Sequence, residues 1–144
     1  MTMKFTEKNL ISGEQIGQML RNHTIRPTSQ RINIAKVLLA KPQHLSAEQV
    51  FGQVNTEGEL VSKATVYNTL NLFVDKGLIN QVVIDSRYIF YDSNTESHHH
   101  FYNEDTGLLQ DIADEAMVVK EIPSLPKYTV QTGIGVVIRV KNQS

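Results

Sequence analysis

Residues 62–77, which read Ser62-Lys-Ala-Thr-Val-Tyr-Asn-Thr-Leu-Asn-Leu-Phe-Val-Asp-Lys-Gly77, carry the strongest helical signal in the chain. Ser62 can accept a hydrogen bond from the first turn of a helix, and Gly77 can adopt the left-handed conformation that ends one. Between them, four apolar residues recur at the i, i+4, i+7 and i+8 spacing of a single helix face. They are Val66, Leu70, Phe73 and Val74. The stretch therefore predicts a helix with one buried face and one polar face.

Three shorter helices are predicted before this one. Each begins at a serine or threonine whose oxygen can cap the first turn, and in two cases a glutamine three residues later completes a capping box. The caps are Ser12 with Gln15, Thr28, and Ser46 with Gln49. Apolar residues follow each cap at helical spacing, and Pro42 ends the second helix.

A hairpin is predicted after the four helices. Gln81–Ile84 and Tyr88–Tyr91 are β-branched and aromatic runs separated by Asp-Ser-Arg, which predicts two strands with a short tip. Four helices followed by a hairpin is the order of a winged helix-turn-helix domain. We expect this domain to occupy residues 1–91.

A second, smaller module is predicted after a polar hinge at 92–97. His98–Asn103 and Gly107–Ile112 predict paired strands, Ala113–Lys120 a short helix or loop, and Tyr128–Val140 a long strand. A module of about 50 residues without disulfides buries little apolar surface alone, so we expect it to pair with a second copy. The predicted fold class is α+β, with a small α+β dimerisation domain over 98–144.

The composition excludes several classes of protein. The 144 residues contain no cysteine, which rules out thiolate metal sites, cysteine nucleophiles and disulfides. The uninterrupted apolar runs, such as Val37–Ala40 and Val136–Ile138, are far shorter than the roughly 20 residues that cross a bilayer. The first residues lack the apolar stretch of a secretory signal, so we expect a cytoplasmic protein without a membrane span.

Charge is distributed unevenly along the chain, although the formal net charge is only −1. Residues 1–90 carry ten Lys or Arg against seven Asp or Glu, a net of +3, and residues 91–144 carry four against eight, a net of −4. A basic first part suits contact with phosphates, whereas an acidic second part suits a separate task.

The polar face of the predicted helix at 63–76 suits DNA recognition. Winged helices place this element in the major groove, where Asn68 can bond to adenine and Tyr67 can pack against a thymine methyl. Lys63 and Thr65 can reach phosphate or base acceptors, and Arg87 at the hairpin tip can probe the minor groove. Arginines of the first two helices can neutralise the DNA backbone. The predicted DNA-binding residues are Arg21, Arg26, Arg31, Lys63, Thr65, Tyr67, Asn68 and Arg87.

The triplet His98-His99-His100 predicts a metal site. On a strand, His98 and His100 point to one face and His99 to the other, so two imidazoles can converge. Asp92 and Asp111 lie on flanking segments that can fold back toward them. Imidazole and carboxylate ligands suit Fe(II), Mn(II) and Zn(II).

Two stretches give the sequence a family resemblance. Val61–Leu70 reads Val-Ser-Lys-Ala-Thr-Val-Tyr-Asn-Thr-Leu, and Arg26–Arg31 reads Arg-Pro-Thr-Ser-Gln-Arg. With them the chain resembles the Fur family of metal-responsive bacterial repressors from about Ile16 to Val140. At position 68, where many members have Arg, this chain has Asn, which is similar to the PerR-type and Irr-type branches. The run His98–Phe101 resembles the Irr-type branch.

The resemblance implies a set of metal ligands. In Fur-like proteins the regulatory metal is held by a His before the third helix, an acid near the hinge, two alternating His and a later acid. The matching residues are His44, Asp92, His98, His100 and Asp111. Where relatives place a Cys-x-x-Cys pair, this chain reads Asn103-Glu-Asp-Thr106, so the resemblance implies that it binds no four-cysteine structural zinc.

We interpret the chain as a homodimeric transcription regulator, not an enzyme, that binds a palindromic operator in double-stranded DNA. Its affinity would depend on a divalent metal, Fe(II) or Mn(II) before Zn(II), in iron or manganese homeostasis or a peroxide response. One ion bridging the two modules would fix the recognition helices about 34 Å apart, one turn of B-DNA.

Three alternatives remain open from the sequence. In the first, His98, His99 and His100 form a haem-responsive site, as in the Irr-type branch, which is linked to iron and haem control. In the second, the His and Asp cluster serves a metal-dependent hydrolase or dioxygenase, although no His-Glu-x-x-His motif is present. In the third, the chain is a protein-interaction module that binds neither DNA nor metal.

Overall fold

The computed structural model describes residues 12–56, 60–96 and 98–144. Ser97, the last residue of the expected hinge, lies outside these ranges. The chain divides into two compact units, Met1–Thr95 and Glu96–Ser144, called unit 1 and unit 2 below. Each unit combines its own sheet with other elements, and unit 1 holds all the α-helices of the described residues.

Unit 1 contains the four predicted helices. They are α1 (Gly13–Asn22), α2 (Ser29–Leu39), α3 (Ala47–Val54) and α4 (Lys63–Asp75). Ser12 and Ser46 form the two predicted capping boxes, and Thr28 and Ser62 cap α2 and α4. Gly77, with φ +77°, takes the predicted left-handed conformation after α4. No helix in the described ranges is both long enough and apolar enough to cross a membrane.

The sheet of unit 1 has three antiparallel strands in the order β1-β3-β2. They are β1 (His44–Leu45), β2 (Asn80–Val83) and β3 (Ile89–Asp92). The hairpin of β2 and β3 confirms the prediction, with each strand displaced by one residue. The sequence pattern did not indicate β1, which is only two residues long. Because β3 continues to Asp92, this residue lies at the end of a sheet strand and not in a linker.

The core of unit 1 is made from the buried faces of the helices. Val66, Leu70 and Phe73 of α4 are fully buried, as their spacing predicts, and they pack with residues of the other three helices. Burying side chains of this size contributes about 1.5–3 kcal/mol each. This packing leaves the polar face of α4 toward solvent.

Unit 2 is built on a second three-stranded sheet, in the order β5-β4-β6. Its strands are β4 (His99–Asn103), β5 (Leu109–Ile112) and β6 (Val137–Val140), and a 3₁₀ turn spans Asp114–Ala116. β4 pairs antiparallel with β5 and parallel with β6. The prediction of one long strand over Tyr128–Val140 is wrong for most of its length. Tyr128 has φ +65°, which no strand residue adopts, and only Val137–Val140 pair with β4.

Candidate metal and DNA-binding sites

His44 and Asp92 form a pair inside unit 1. They lie opposite each other on β1 and β3, and His44 Nε2 is 3.1 Å from Asp92 Oδ2. Asp92 is only 2% exposed, and its other carboxylate oxygen accepts a hydrogen bond from the Asn94 N–H at 2.8 Å. The pair presents one imidazole nitrogen and one oriented carboxylate oxygen side by side, both of which are metal-ligand atoms.

Gln43 ties this pair to α2. Its Nε2 donates to the carbonyls of Val37 and Leu38, at 2.7 and 3.1 Å, in the last turn of the helix. Its backbone N–H donates to Ser93 Oγ at 3.4 Å, next to Asp92. Sequence reasoning missed Gln43, because its contacts join segments up to 50 residues apart.

His98, His100 and Asp111 form a second group, inside unit 2. The Nε2 atoms of His98 and His100 lie 3.0 and 3.3 Å from the same carboxylate oxygen, Asp111 Oδ1. The centres of the two rings are 4.5 Å apart, and the ring planes are tilted by 51°. Because His100 and Asp111 are register partners on β4 and β5, the sheet itself sets this arrangement.

The hydrogen bonds of His98 suit a metal ligand. Its Nδ1 lies 2.7 Å from the Glu96 carbonyl, which can only accept, so the ring hydrogen is on Nδ1. In the neutral ring the lone pair of Nε2 then faces the Asp111 carboxylate. Because Nε2 and the carboxylate oxygen are both hydrogen-bond acceptors, a proton or a metal ion is needed between them at this distance. A carbonyl that orients the far nitrogen is the usual second contact of a metal-bound His. The donor set therefore fits a divalent metal.

His99 points away from this group, as strand alternation predicts. Its Nδ1 accepts a hydrogen bond from the Val136 N–H at 3.0 Å, just before β6. His99 is therefore engaged in the sheet of unit 2, while its two neighbours converge on Asp111.

The exposed face of α4 carries the residues predicted to read DNA bases. Lys63, Tyr67 and Asn68 are exposed, and Thr65 is half-buried. A groove of about 460 Å³ runs between this face and the first turn of α2. The groove is lined by Thr28, Ser29, Gln30, Arg31, Thr65, Asn68, Thr69 and Leu72. Apart from Leu72, these side chains offer donors and acceptors of the kinds that contact bases and phosphates.

Of the arginines predicted to contact the DNA backbone, Arg21 lies at the end of α1, Arg26 in the loop before α2 and Arg31 in the first turn of α2. Arg21 and Arg26 are exposed. Arg31 is half-buried, and its Nη1 donates to the Arg26 carbonyl at 2.9 Å, which fixes the loop before α2. Arg21 and Arg26 are therefore open to a phosphate, whereas Arg31 has a structural contact as well.

Asp85 orders the hairpin tip that carries Arg87. Its Oδ1 accepts from the N–H groups of Arg87 and Tyr88, at 2.7 and 3.2 Å, and its Oδ2 lies 3.6 Å from Arg87 Nη2. The hydrogen bond from the Arg87 N–H, together with the nearby guanidinium, lowers the pKa of Asp85. The Arg87 guanidinium also lies 5.3 Å from the centre of the Tyr88 ring.

A cavity of about 220 Å³ lies beside Tyr67, between the first turn of α3 and the hairpin. Tyr91 lines it from the hairpin, and burial raises the pKa of this phenol. Glu48 lines it from α3, and its Oε1 lies 3.0 Å from Lys63 Nζ. Sequence reasoning missed Glu48, because the pair joins two helices whose packing is not visible in a local pattern.

Comparison with known proteins agrees with this architecture. The model of the Ferric uptake regulator family matches residues 22–132. The peroxide-responsive repressor PerR of Staphylococcus saprophyticus is 32% identical over 92 residues, which are 64% of this chain and 62% of that protein. The PerR of Staphylococcus aureus is 30% identical over the same shares. The chain thus spans less than two thirds of these relatives.

Solved structures of similar fold come from the same family. The ferric uptake regulator of Vibrio cholerae has a TM-score of 0.68 and 26% identity, over 88% of this chain and 98% of that one. The regulator of Pseudomonas aeruginosa with manganese has a TM-score of 0.67 and 23% identity, over 89% and 98%. These likenesses confirm the predicted α+β fold with a winged helix.

The family match also bears on the alternatives left open by the sequence. Members of the family are transcription regulators and not enzymes, so the hydrolase alternative is wrong. The matched residues include α2, α3, α4, both strands of the hairpin and the His-containing strand β4. The chain belongs to the Ferric uptake regulator family.

Proposed function

We propose that the protein is a metal-dependent transcription regulator that binds a palindromic operator as a homodimer. The observation that carries the proposal is the presence of a His–Asp ligand group in each unit. His44 and Asp92 offer two ligand atoms in the unit with the exposed α4, and His98, His100 and Asp111 offer three in the other.

One divalent ion is the proposed occupant of the two groups together. The five imidazole and carboxylate ligands together are of the kinds that would hold Fe(II), Mn(II) or Zn(II). When bound, the ion would supply the positive charge that the Asp92 and Asp111 carboxylates balance. The residues themselves would then connect the hinge side of unit 1 with the sheet of unit 2.

The DNA-binding part of the proposal rests on α4. Its exposed face offers an amide at Asn68, a phenol at Tyr67 and an ammonium at Lys63, and these groups suit base edges and phosphates. Arg87, on the hairpin tip, is suited to the neighbouring minor groove. We place this activity in the cytoplasm.

The dimer part of the proposal rests on the surface of unit 2. Large apolar side chains are exposed along 118–138, and large contiguous apolar surfaces mark sites of interaction. They are Val118, Val119, Ile122, Leu125, Tyr128, Val130 and Ile138. We propose that the same surface of a second copy of the chain packs against these side chains, since most soluble homo-oligomers use a two-fold interface.

Operator selection tests the proposal. Duplexes selected from random DNA by the Mn(II)-loaded protein should show two inverted half-sites, and chelation should lower their affinity at least tenfold. His98→Gln should abolish this metal dependence, whereas His99→Gln is the matched control and should keep it. Equal metal dependence in wild type and His98→Gln would contradict the proposed ligand set.

Peroxide and haem are two candidate signals for this regulator, and each needs its own measurement. The relatives named peroxide-responsive repressors support a peroxide response, so peroxide should abolish operator binding by the Fe(II)-loaded protein and leave the Mn(II)-loaded protein unchanged.

The haem alternative requires a Soret shift on haem titration that disappears in His99→Gln or in His100→Gln. An unchanged Soret band in wild type would remove that alternative.

A further inference from the structure

Lys63, the first residue of α4, already has a carboxylate partner. Its Nζ lies 3.0 Å from Glu48 Oε1 in α3, and 5.8 Å from the centre of the Phe51 ring. Both side chains of the pair remain well exposed, at 56% for Lys63 and 62% for Glu48. The cation that the sequence assigns to DNA contact is thus held by a neighbouring helix, although both groups can be reached by DNA.

Arg87, the other positively charged side chain beside Tyr67, also has a carboxylate partner. Arg87 Nη2 lies 3.6 Å from Asp85 Oδ2, and Arg87 and Glu48 line the same cavity as Tyr67. The two positive side chains that flank the exposed tyrosine are therefore both balanced by carboxylates of this chain. Asp85 also orders the hairpin backbone, so Glu48 is the partner whose charge can be removed without disturbing a turn.

An internal carboxylate changes how a lysine contributes to DNA binding. Attraction between a lysine and phosphates is independent of sequence and supplies most of the non-specific affinity. A carboxylate that pairs with the lysine competes with every phosphate for the same charge. The pair is solvent-exposed, so it exchanges easily for a well-placed acceptor in a fully formed complex.

We propose that Glu48 is a specificity-determining residue that neutralises Lys63 in competition with DNA phosphates. It lowers the affinity for unrelated DNA more than the affinity for the operator, where other contacts hold α4 in place. This inference rests on the proposed DNA-binding function. Glu48 acts here through Lys63 and does not itself read a base.

The test compares Glu48→Gln with wild type in the full-length, Mn(II)-loaded protein. Fluorescence anisotropy measures binding to a selected operator and to an unrelated duplex over a range of salt concentrations. We expect Glu48→Gln to bind unrelated DNA about threefold more tightly, with a salt slope steeper by roughly 0.9, as for one additional phosphate contact. Operator affinity should rise less, so the ratio of the two affinities should fall.

Glu14→Gln is the matched control, because Glu14 is an exposed acid in the first turn of α1 and its removal changes the net charge equally. We expect it to leave the salt slope unchanged. Lys63→Met provides the second arm. In that background Glu48→Gln should have no further effect, because the charge that Glu48 neutralises is gone.

Three results separate the possible failures. An unchanged slope and affinity for unrelated DNA in Glu48→Gln would overturn the inference while the DNA-binding function stands. A full effect of Glu48→Gln in the Lys63→Met background would overturn the route through Lys63. A wild-type protein that selects no sequence from random DNA would overturn the proposed function, and this inference with it.

Discussion

In the proposed complex with DNA, single side chains on the exposed face of α4 would decide which contacts the protein makes with a base. Asn68 is exposed one residue after Tyr67, in the second turn of α4. Its amide has one donor and one acceptor in a fixed plane, which matches the major-groove edge of adenine. Lys63 has only hydrogen-bond donors, and the phosphates of DNA can accept from them whatever the base sequence.

Asn68→Ala should therefore weaken operator binding and relax its sequence preference. Loss of a two-bond contact to a base costs about 1–3 kcal/mol, which corresponds to roughly a 5- to 150-fold loss of affinity. Binding to unrelated DNA should hardly change. The measurement is anisotropy with the operator and with variants substituted at each base pair. An equal loss on operator and unrelated DNA would contradict a role for Asn68 in base recognition.

Asp85 gives the hairpin tip a defined response to pH. Its pKa in the folded protein is lower than the ordinary 3.8, because its carboxylate accepts hydrogen bonds from the tip and lies beside Arg87. The stabilisation of the tip is therefore complete above pH 3.8 and is lost as the pH falls through the lowered pKa. We expect the amide NMR signals of Arg87 and Tyr88 to shift with a midpoint below pH 3.8. Asp85→Asn should remove this titration, and a shift centred above pH 3.8 would contradict the assignment.

At the scale of secondary structure, local signals were sufficient for the helices. Ser12, Thr28, Ser46 and Ser62 all cap helices as predicted, because capping depends on residues within one turn. Strands depend on partners elsewhere in the chain. The two residues of β1 form a strand only because they pair with β3, and no local pattern reveals this.

The candidate site was predictable to a similar extent. Strand alternation was enough to place His98 and His100 on one side of β4, and the register of β4 and β5 then brings Asp111 to both. The role of His44 came from the family resemblance alone. The contacts of Glu48 and Gln43 arise from packing between elements distant in sequence, which single-sequence patterns do not specify.

A network of hydrogen bonds around Asn103 closes one end of the sheet of unit 2. Asn103 Oδ1 accepts from the N–H groups of Asp105 and Thr106, at 2.9 and 3.1 Å, and its Nδ2 donates to Asn142 Oδ1 at 2.8 Å. The Asn142 N–H donates in turn to Asp105 Oδ2 at 2.9 Å. The turn after β4 is thereby joined to the residues after β6.

Asn103→Ala should destabilise unit 2 because it removes three of these bonds. At about 0.5–1.5 kcal/mol for each bond, with partial replacement by water, we expect a loss of about 1–2 kcal/mol in the free energy of unfolding. Urea denaturation followed by circular dichroism measures it. Asn142→Ala removes one side-chain bond and should cost clearly less. Equal stability of Asn103→Ala and wild type would contradict the role of this network.

At the scale of the whole molecule, the uneven charge separates two tasks. In the proposed function, the net of +3 over residues 1–90 would favour approach to DNA, and the net of −4 over residues 91–144 would disfavour contact with phosphates and attract cations. A single recognition helix contacts only a few base pairs, so a useful operator needs two copies at a fixed distance. In the proposed homodimer, the exposed apolar side chains of unit 2 would hold the two copies together.

Replacing apolar residues on that surface by acids should separate the copies. Ile122 is 49% exposed and Val130 is 84% exposed, so glutamate at both positions costs little in a monomer. In a two-fold interface each new carboxylate occurs twice, and four charges buried at an apolar contact should weaken the dimer at least a hundredfold. Sedimentation velocity should give a dimer for wild type and a monomer for the Ile122→Glu, Val130→Glu double variant. The control is Leu60→Glu, which alters a residue of unit 1 that is 77% exposed, and it should remain a dimer. If the double variant sediments as a dimer, the second copy binds through another surface, and the spacing of the recognition helices has a different origin.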